Sequence, residues 1–160
     1  MPPTTHDAES LSCNPETRAH SGSLANVQLT AAMLADCAQT RDGTLFVLGG
    51  GFGRLIMTRF PTNFGRQVVL LLEFHPSEAG RDFEITTELA NADGAVIQRV
   101  VSSIRPERPE SLEAGEVIVA PMVVGLVDAV IPAPGRYGVD IFINGEHRQS
   151  LGFVVLQRPV

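Results

Sequence analysis

Apolar and polar residues alternate through the last quarter of the chain, and this alternation predicts a β-hairpin. Apolar side chains stand at every second position over residues 137–143, and the alternation resumes over residues 151–155. A period of two places these side chains on one face of a pleated strand. Asn144-Gly145 between the two runs supplies the positive φ angles of a tight hairpin turn. The sequence therefore predicts an antiparallel all-β domain whose strands each bury one face.

Further strand signals lie upstream of the hairpin. Residues 67–74 and 117–127 are strongly apolar, residues 82–90 alternate cleanly, and residues 95–103 follow a turn. A short strand over 45–48 is broken by glycines and resumes over 52–60. The stretch 105–116 has two prolines and six charges, which indicates a solvated crossing between sheets. The spacing of turns predicts a single two-sheet sandwich of about eight or nine strands.

The first element, over residues 27–38, fits two structures. Every second residue from Val27 to Cys37 is apolar, as on a strand, whereas Val27, Ala31, Leu34 and Ala38 form a helical stripe. The alanine content favours a helix. We adopt the strand because the rest of the chain is β. We expect a disordered tail over 1–25, which shows no periodicity, and a folded domain over 26–158.

Composition narrows the possible functions. The 160-residue chain has a net charge of −6 and no lysine. Lysine-dependent catalysis and a phosphate-loop lysine are excluded, and the acidic balance predicts neither nucleic acid nor a membrane as partner. Residues 1–25 lack the positive start and the apolar stretch of a secretory signal, and no apolar run is long enough to span a bilayer, so we expect a protein that is not exported. Cys13 and Cys37 are too few for a disulfide framework, and we expect Cys37 to be a small buried hydrophobe. A cytoplasmic protein is predicted.

A glycine cluster and an aspartate are the first candidate site residues. The cluster Gly49, Gly50 and Gly51 lacks the later glycine of a dinucleotide fingerprint and the lysine of a phosphate loop. It therefore indicates a bulge or a sharp corner between strand halves. Asp36 lies in apolar surroundings, which predicts a buried structural acceptor for amide groups of this bend; the alternative is a catalytic acid.

Catalytic and metal-binding motifs are scarce. The sequence contains neither a His-Glu-x-x-His zinc motif nor a Gly-x-Ser-x-Gly elbow. His75 has Glu78 and Asp82 nearby in the sequence, so a cation at this loop is conceivable, although a solvated loop is the simpler interpretation. Arg54 and Arg59 fall on opposite faces of an unbroken strand and would not share an anion pocket. We therefore expect a protein that is not an enzyme and needs no cofactor.

The strand over 117–127 is apolar on both faces, which singles it out as a candidate interface. Pro121 cannot donate to a sheet ladder and places this strand at an edge or a bulge. An edge strand with two apolar faces needs a cover. We predict a homo-oligomer, most simply a twofold dimer, with its seam at Val117, Val119, Pro121 and Val123.

Several short motifs together resemble a family of small uncharacterised bacterial proteins, a domain of unknown function. They are Leu34-Ala35-Asp36, Asp42-Gly43-x-Leu45, Leu48-Gly49-Gly50-Gly51, Phe60-Pro61, Asp93-Gly94, Pro134-Gly135-x-Tyr137 and Asn144-Gly145. The likeness runs over residues 27–156. It implies a single immunoglobulin-like β-sandwich and supplies no activity, cofactor or catalytic residue.

Two functions from different classes follow from these observations. The first is a non-enzymatic β-sandwich that binds protein, including itself, because catalytic groups are missing and apolar strand faces lack a cover. The second is a sandwich that binds or converts a small molecule at a loop-end site formed by Asp36, Arg54 and His75. A deep polar pocket holding these residues favours the second function, and a flat apolar patch favours the first.

Overall fold

The computed structural model describes residues 27–159, and within them it contains eleven β-strands and no α-helix. The strands are β1 (Val27–Arg41), β2 (Thr44–Gly50), β3 (Arg54–Met57), β4 (Thr62–Asn63), β5 (Arg66–Phe74), β6 (Phe83–Asn91), β7 (Val96–Ile104), β8 (Ile118–Leu126), β9 (Val130–Ile131), β10 (Gly135–Ile143) and β11 (Glu146–Gln157). The predicted all-β class is confirmed, and the first element is a strand. The tail expected over 1–25 lies outside the described residues. Over 27–159, no helix has the length and apolar character needed to cross a membrane.

The strands form three sheets. Sheet A has the order β2-β1-β5-β8, sheet B has the order β3-β11-β10-β6-β7, and β4 pairs with β9 alone. All pairs are antiparallel except β3 with β11, which run parallel. The expectation of eight or nine strands in two antiparallel sheets therefore needs correction. The two-residue strands β4 and β9 are too short to show a period, and no local pattern encodes the direction of β3.

One apolar core is shared by sheets A and B. Alternate residues of β5 (Val68, Leu70, Leu72) and of β10 (Val139, Ile141) are fully buried in it. Each fully buried aliphatic side chain contributes about 1.5–3 kcal/mol. The period-two pattern that predicted β10 therefore also identifies its buried face. β5 was predicted from a continuous apolar run, and the structure shows which of its alternate residues face the core.

A β-bulge adjusts the hairpin of β10 and β11. Asn144 and Gly145 form its two-residue turn with φ angles of 50° and 79°, as the sequence predicted. If the pairing continued from this turn without a break, the apolar residues of β10 would lie opposite polar residues of β11. An irregularity at Ile141/Phe142 shifts the register by one residue, so that Val139 faces Leu151. The bulge thus brings the two apolar rows onto the same face.

The glycine cluster forms the sharp corner that the sequence predicted. β2 ends at Gly50 in sheet A, and β3 begins at Arg54 in sheet B. Gly49 and Gly51 have φ angles of 62° and 78°, a conformation that side chains other than glycine resist. Residues 105–116 also cross between the sheets, because they connect β7 in sheet B to β8 in sheet A.

The hydroxyl of Tyr137 ties the start of β10 to the loop that precedes it. This hydrogen bond provides a first test of the fold. Tyr137 is 7% exposed, and its hydroxyl donates a 2.6 Å hydrogen bond to the carbonyl of Ala133. We predict that Tyr137→Phe lowers the free energy of unfolding by about 1 kcal/mol, since the carbonyl loses its partner. Urea unfolding followed by circular dichroism measures the change. An unaltered unfolding midpoint would contradict this role.

Candidate functional site

The three residues of the sequence-based ligand site do not come together. Asp36 lies beside Arg66 at the start of β5, whereas His75 follows the end of that nine-residue strand. A strand of this length extends about 30 Å. Arg54 belongs to β3 in the other sheet. The arrangement offers no shared pocket for these three side chains.

Asp36 is exposed, which corrects the expectation of a buried acceptor. Its side chain is 51% exposed, and its Oδ1 lies 3.0 Å from Nε of Arg66. The amide of Gly51 donates instead to the carbonyl of Leu34. The apolar neighbours of Asp36 in the sequence did not enclose it, because β1 leaves the body of sheet A at this point.

His75 stabilises a turn, and the carboxylates near it have other partners. Its Nδ1 accepts a 3.2 Å hydrogen bond from the amide of Ser77. Glu78 pairs with Arg81, and Asp82 accepts a 2.8 Å hydrogen bond from Arg105 that lowers the pKa of Asp82 below its usual value. Over residues 27–159, no group of three or more His, Cys, Asp or Glu residues is arranged to hold a metal ion.

A serine, a histidine and an aspartate meet on the outer face of sheet B, and sequence reasoning missed them. Nε2 of His147 lies 3.0 Å from Oγ of Ser150 and 3.4 Å from Oδ1 of Asp140, and Ser150 also donates to Asp140. In a nucleophilic triad the aspartate instead holds the other ring nitrogen of the histidine. The three side chains are exposed, and Asp140 and Ser150 both lie near the same ring nitrogen of His147, so the arrangement that activates a serine is not formed.

The hairpin of β1 and β2 extends beyond the rest of sheet A. The pairing of β1 with β5 ends at Ala35, whereas its pairing with β2 continues to Arg41. We call residues 37–48 the hairpin arm. Its turn is Asp42-Gly43, with φ angles of 50° and 72°. At its base the amide of Ala38 donates to the side-chain carbonyl of Gln67 on β5. The arm is thus anchored at one end and projects at the other.

The hairpin arm exposes apolar side chains on both of its faces. Phe46 is 50% exposed, Val47 is 39% exposed and Leu48 is 72% exposed. They border an open groove of about 470 Å³, whose lining also includes Cys37 and Leu45. Cys37 is an exposed free cysteine, which corrects the expectation that it is buried. An isolated two-stranded ribbon is marginally stable in water, so this surface is suited to a partner.

The strand predicted as an interface also lies at an edge. β8 is the outer strand of sheet A, as Pro121 indicated. Val119 is 52% exposed and Val117 is 42% exposed, whereas Val123 packs against the small cluster of Ala35, Ala38 and Val69 on the outer face of sheet A. The apolar second face of β8 is therefore partly covered within the chain.

The close approach of Gly49 to Asp36 yields a test of the corner. A Cβ atom on Gly49 would lie 2.8 Å from Cγ of Asp36, whereas one on Gly51 would have no neighbour within 4 Å. We predict that Gly51→Ala costs about 1–2 kcal/mol of unfolding free energy, for its positive φ alone, and that Gly49→Ala costs more. Asp36→Ala should reduce the excess. Equal costs for the two glycines in urea unfolding would contradict this account.

Comparison with solved structures gives a weak likeness. One similar structure is Pseudomonas fluorescens alkylpurine DNA glycosylase AlkC bound to DNA containing an abasic site analog. The two proteins are 16% identical, with a TM-score of 0.43, over 82% of this chain and 31% of that chain. The present chain thus corresponds to under a third of that protein, and no curated protein matches it.

The exclusion of nucleic acid as a partner was wrong. It rested on the net charge of −6 and on the presence of one tyrosine and no tryptophan, whereas the weakly similar glycosylase is bound to DNA. Net charge sums over the whole surface and does not exclude local attraction. A likeness at this TM-score carries no argument about the activity of the present chain.

Family membership rests on a match over most of the chain. Residues 30–156 match the model of one family, and they include every strand except the first residues of β1 and the last residue of β11. The chain belongs to DUF6941, a family of unknown function.

Proposed function

We propose that this protein is a non-enzymatic module that binds other polypeptide chains by adding a strand to the free edge of β2. The observation that carries the proposal is the exposed apolar run Phe46, Val47 and Leu48 on an edge strand. An edge strand presents a row of unpaired amide and carbonyl groups, which an extended peptide can complete.

A comparison of the four edges of sheets A and B favours β2. β8 contains Pro121, which cannot donate to a new strand. β3 contains Arg54 and β7 contains Arg99, and charges at an edge oppose pairing with another chain. β2 contains neither a proline nor a charged residue. β2 therefore lacks the proline and the charged side chains by which edge strands avoid pairing with other chains.

The energies involved are those of a moderate interaction. Complete burial of a leucine or phenylalanine side chain contributes about 1.5–3 kcal/mol, and Phe46 and Leu48 still have half or more of their area to bury. Association itself costs about 4–15 kcal/mol. Side-chain burial alone therefore does not suffice, and the backbone hydrogen bonds of an added strand supply the remainder.

Several observations count against the alternative of a small-molecule or catalytic site. Asp36 and His75 lie at opposite ends of β5, and Arg54 lies in the other sheet. The contacts of His147 lack the geometry of a triad. The groove of about 470 Å³ is lined chiefly by apolar residues of the hairpin arm.

We further propose that the scaffold is an immunoglobulin-like sandwich. The chain passes from sheet A to sheet B after β5, returns at β8, and passes back at β10. The bond from Tyr137 to the carbonyl four residues upstream resembles the tyrosine corner of such domains. Cytoplasmic location and bacterial origin stay predictions.

Panning a library of displayed random peptides against the protein tests the proposed binding. We predict enrichment of extended peptides with alternating apolar residues. Phe46→Lys and Leu48→Lys should each weaken their binding by about tenfold or more, or 1.4 kcal/mol. Because both side chains are exposed, the unfolding free energy should change by no more than about 0.5 kcal/mol.

Val101→Lys is the matched control for these variants. Val101 is a 57% exposed valine on β7, the edge of sheet B, and its replacement should leave peptide binding intact. Peptides that bind Leu48→Lys as well as the wild type would overturn the assignment to β2. Failure to enrich any peptide, under conditions in which the protein is monomeric, would count against the function itself.

A further inference from the structure

We infer that β2 pairs with β2 of a second copy of this chain, across a twofold axis at Val47. This inference rests on the proposed function and names its partner. A twofold axis perpendicular to a strand produces an antiparallel pair in which both copies use the same surface. Sheet A would thereby continue through the seam into sheet A of the second copy.

The length and sequence of β2 make it complementary to itself. Val47 is the midpoint of Thr44–Gly50, so this register uses the whole strand. Val47 then faces Val47 of the second copy, and Phe46 faces Leu48 in both directions. Residues directly opposite in an antiparallel pair have Cβ atoms about 4.5–5.5 Å apart. The two most exposed apolar side chains of the strand would therefore cover each other.

Side-chain size also suits this register towards the ends of the strand. Leu45 would face Gly49 of the second copy, where no side chain competes for space. Gly49 itself departs from the extended conformation, with a φ angle of 62°. We therefore assign the seam to Phe46, Val47 and Leu48, with Leu45 packed at its margin.

Charge favours a second copy over a charged partner. β2 has no charged side chain, so a partner of either sign would find no counter-ion along the strand. The charged pair nearest to it in sequence, Arg41 and Asp42, is a mutual contact of 3.6 Å. Two uncharged strands can approach without like charges facing each other across the seam.

Disulfide trapping tests this register directly. In a chain whose Cys13 and Cys37 are replaced by serine, we predict that Val47→Cys forms a covalent dimer on mild oxidation. Directly opposite residues have Cα atoms about 4.5–5.5 Å apart, within the reach of a disulfide of about 4.4–6.8 Å. Non-reducing electrophoresis measures the dimer, and wild type should elute at about twice its mass of 17.2 kDa in light scattering.

Two single-cysteine variants in the same background serve as controls. Phe46→Cys places its thiols on diagonal positions about 7–8 Å apart, so we expect little covalent dimer. Val119→Cys places a cysteine on β8, the edge that the sequence suggested as a seam, at a position more exposed than Val47. It should also stay monomeric on a non-reducing gel. Adding Leu48→Lys to Val47→Cys should abolish trapping.

The outcomes separate this inference from the proposed function. Trapping through Val47→Cys, with wild type eluting as a dimer, supports the second copy as partner. Preferential trapping through Val119→Cys, or a wild type that stays monomeric at high micromolar concentration, overturns it. If the β2 edge then still binds displayed peptides, the proposed function stands without the self-pairing. If it binds none, both fail.

Discussion

The length of β1 relative to its partners is the constraint on which the rest of this structure depends. β1 has fifteen residues and β5 has nine, so β1 cannot be paired with β5 along its whole length. Within residues 27–159, β2 alone pairs with β1 beyond Ala35. The hairpin arm and the exposure of its apolar side chains are consequences of this mismatch.

The glycine cluster over residues 49–51 allows the chain to turn from sheet A into sheet B after β2. After running back along β1, the chain must leave sheet A and enter sheet B within a few residues. Positive φ angles at Gly49 and Gly51 make this reversal possible, and the absence of a side chain at Gly49 leaves room for Asp36. The pair of Asp36 and Arg66 then connects the base of the arm to β5. Asp36 and the glycine cluster, the first candidate site residues in the sequence, are thus part of the corner between β2 and β3.

The four edges of sheets A and B differ in how they avoid pairing with other chains. A proline in β8 and arginines in β3 and β7 follow the usual means of protecting an edge. β2 is exceptional because it is apolar, uncharged and largely exposed. The proposed binding module uses this edge, which lacks the proline and the charges that the other three edges carry.

Local patterns in the sequence determined most of the longer strands and the turns, and the buried faces of the strands that alternate. The alternation in β6 and β10, the Asn144-Gly145 turn and the edge position of β8 were all predictable, because they depend on neighbouring residues. The strand β2 was predicted, but its exposure was not, because exposure depends on where the pairing of β1 with β5 stops, beside the first residues of β5. The meeting of Asp140 with Ser150 was hidden by a one-residue bulge that a two-residue turn does not reveal. Sheet order, edges and register arise from pairings between distant segments, and only the tertiary structure decided them.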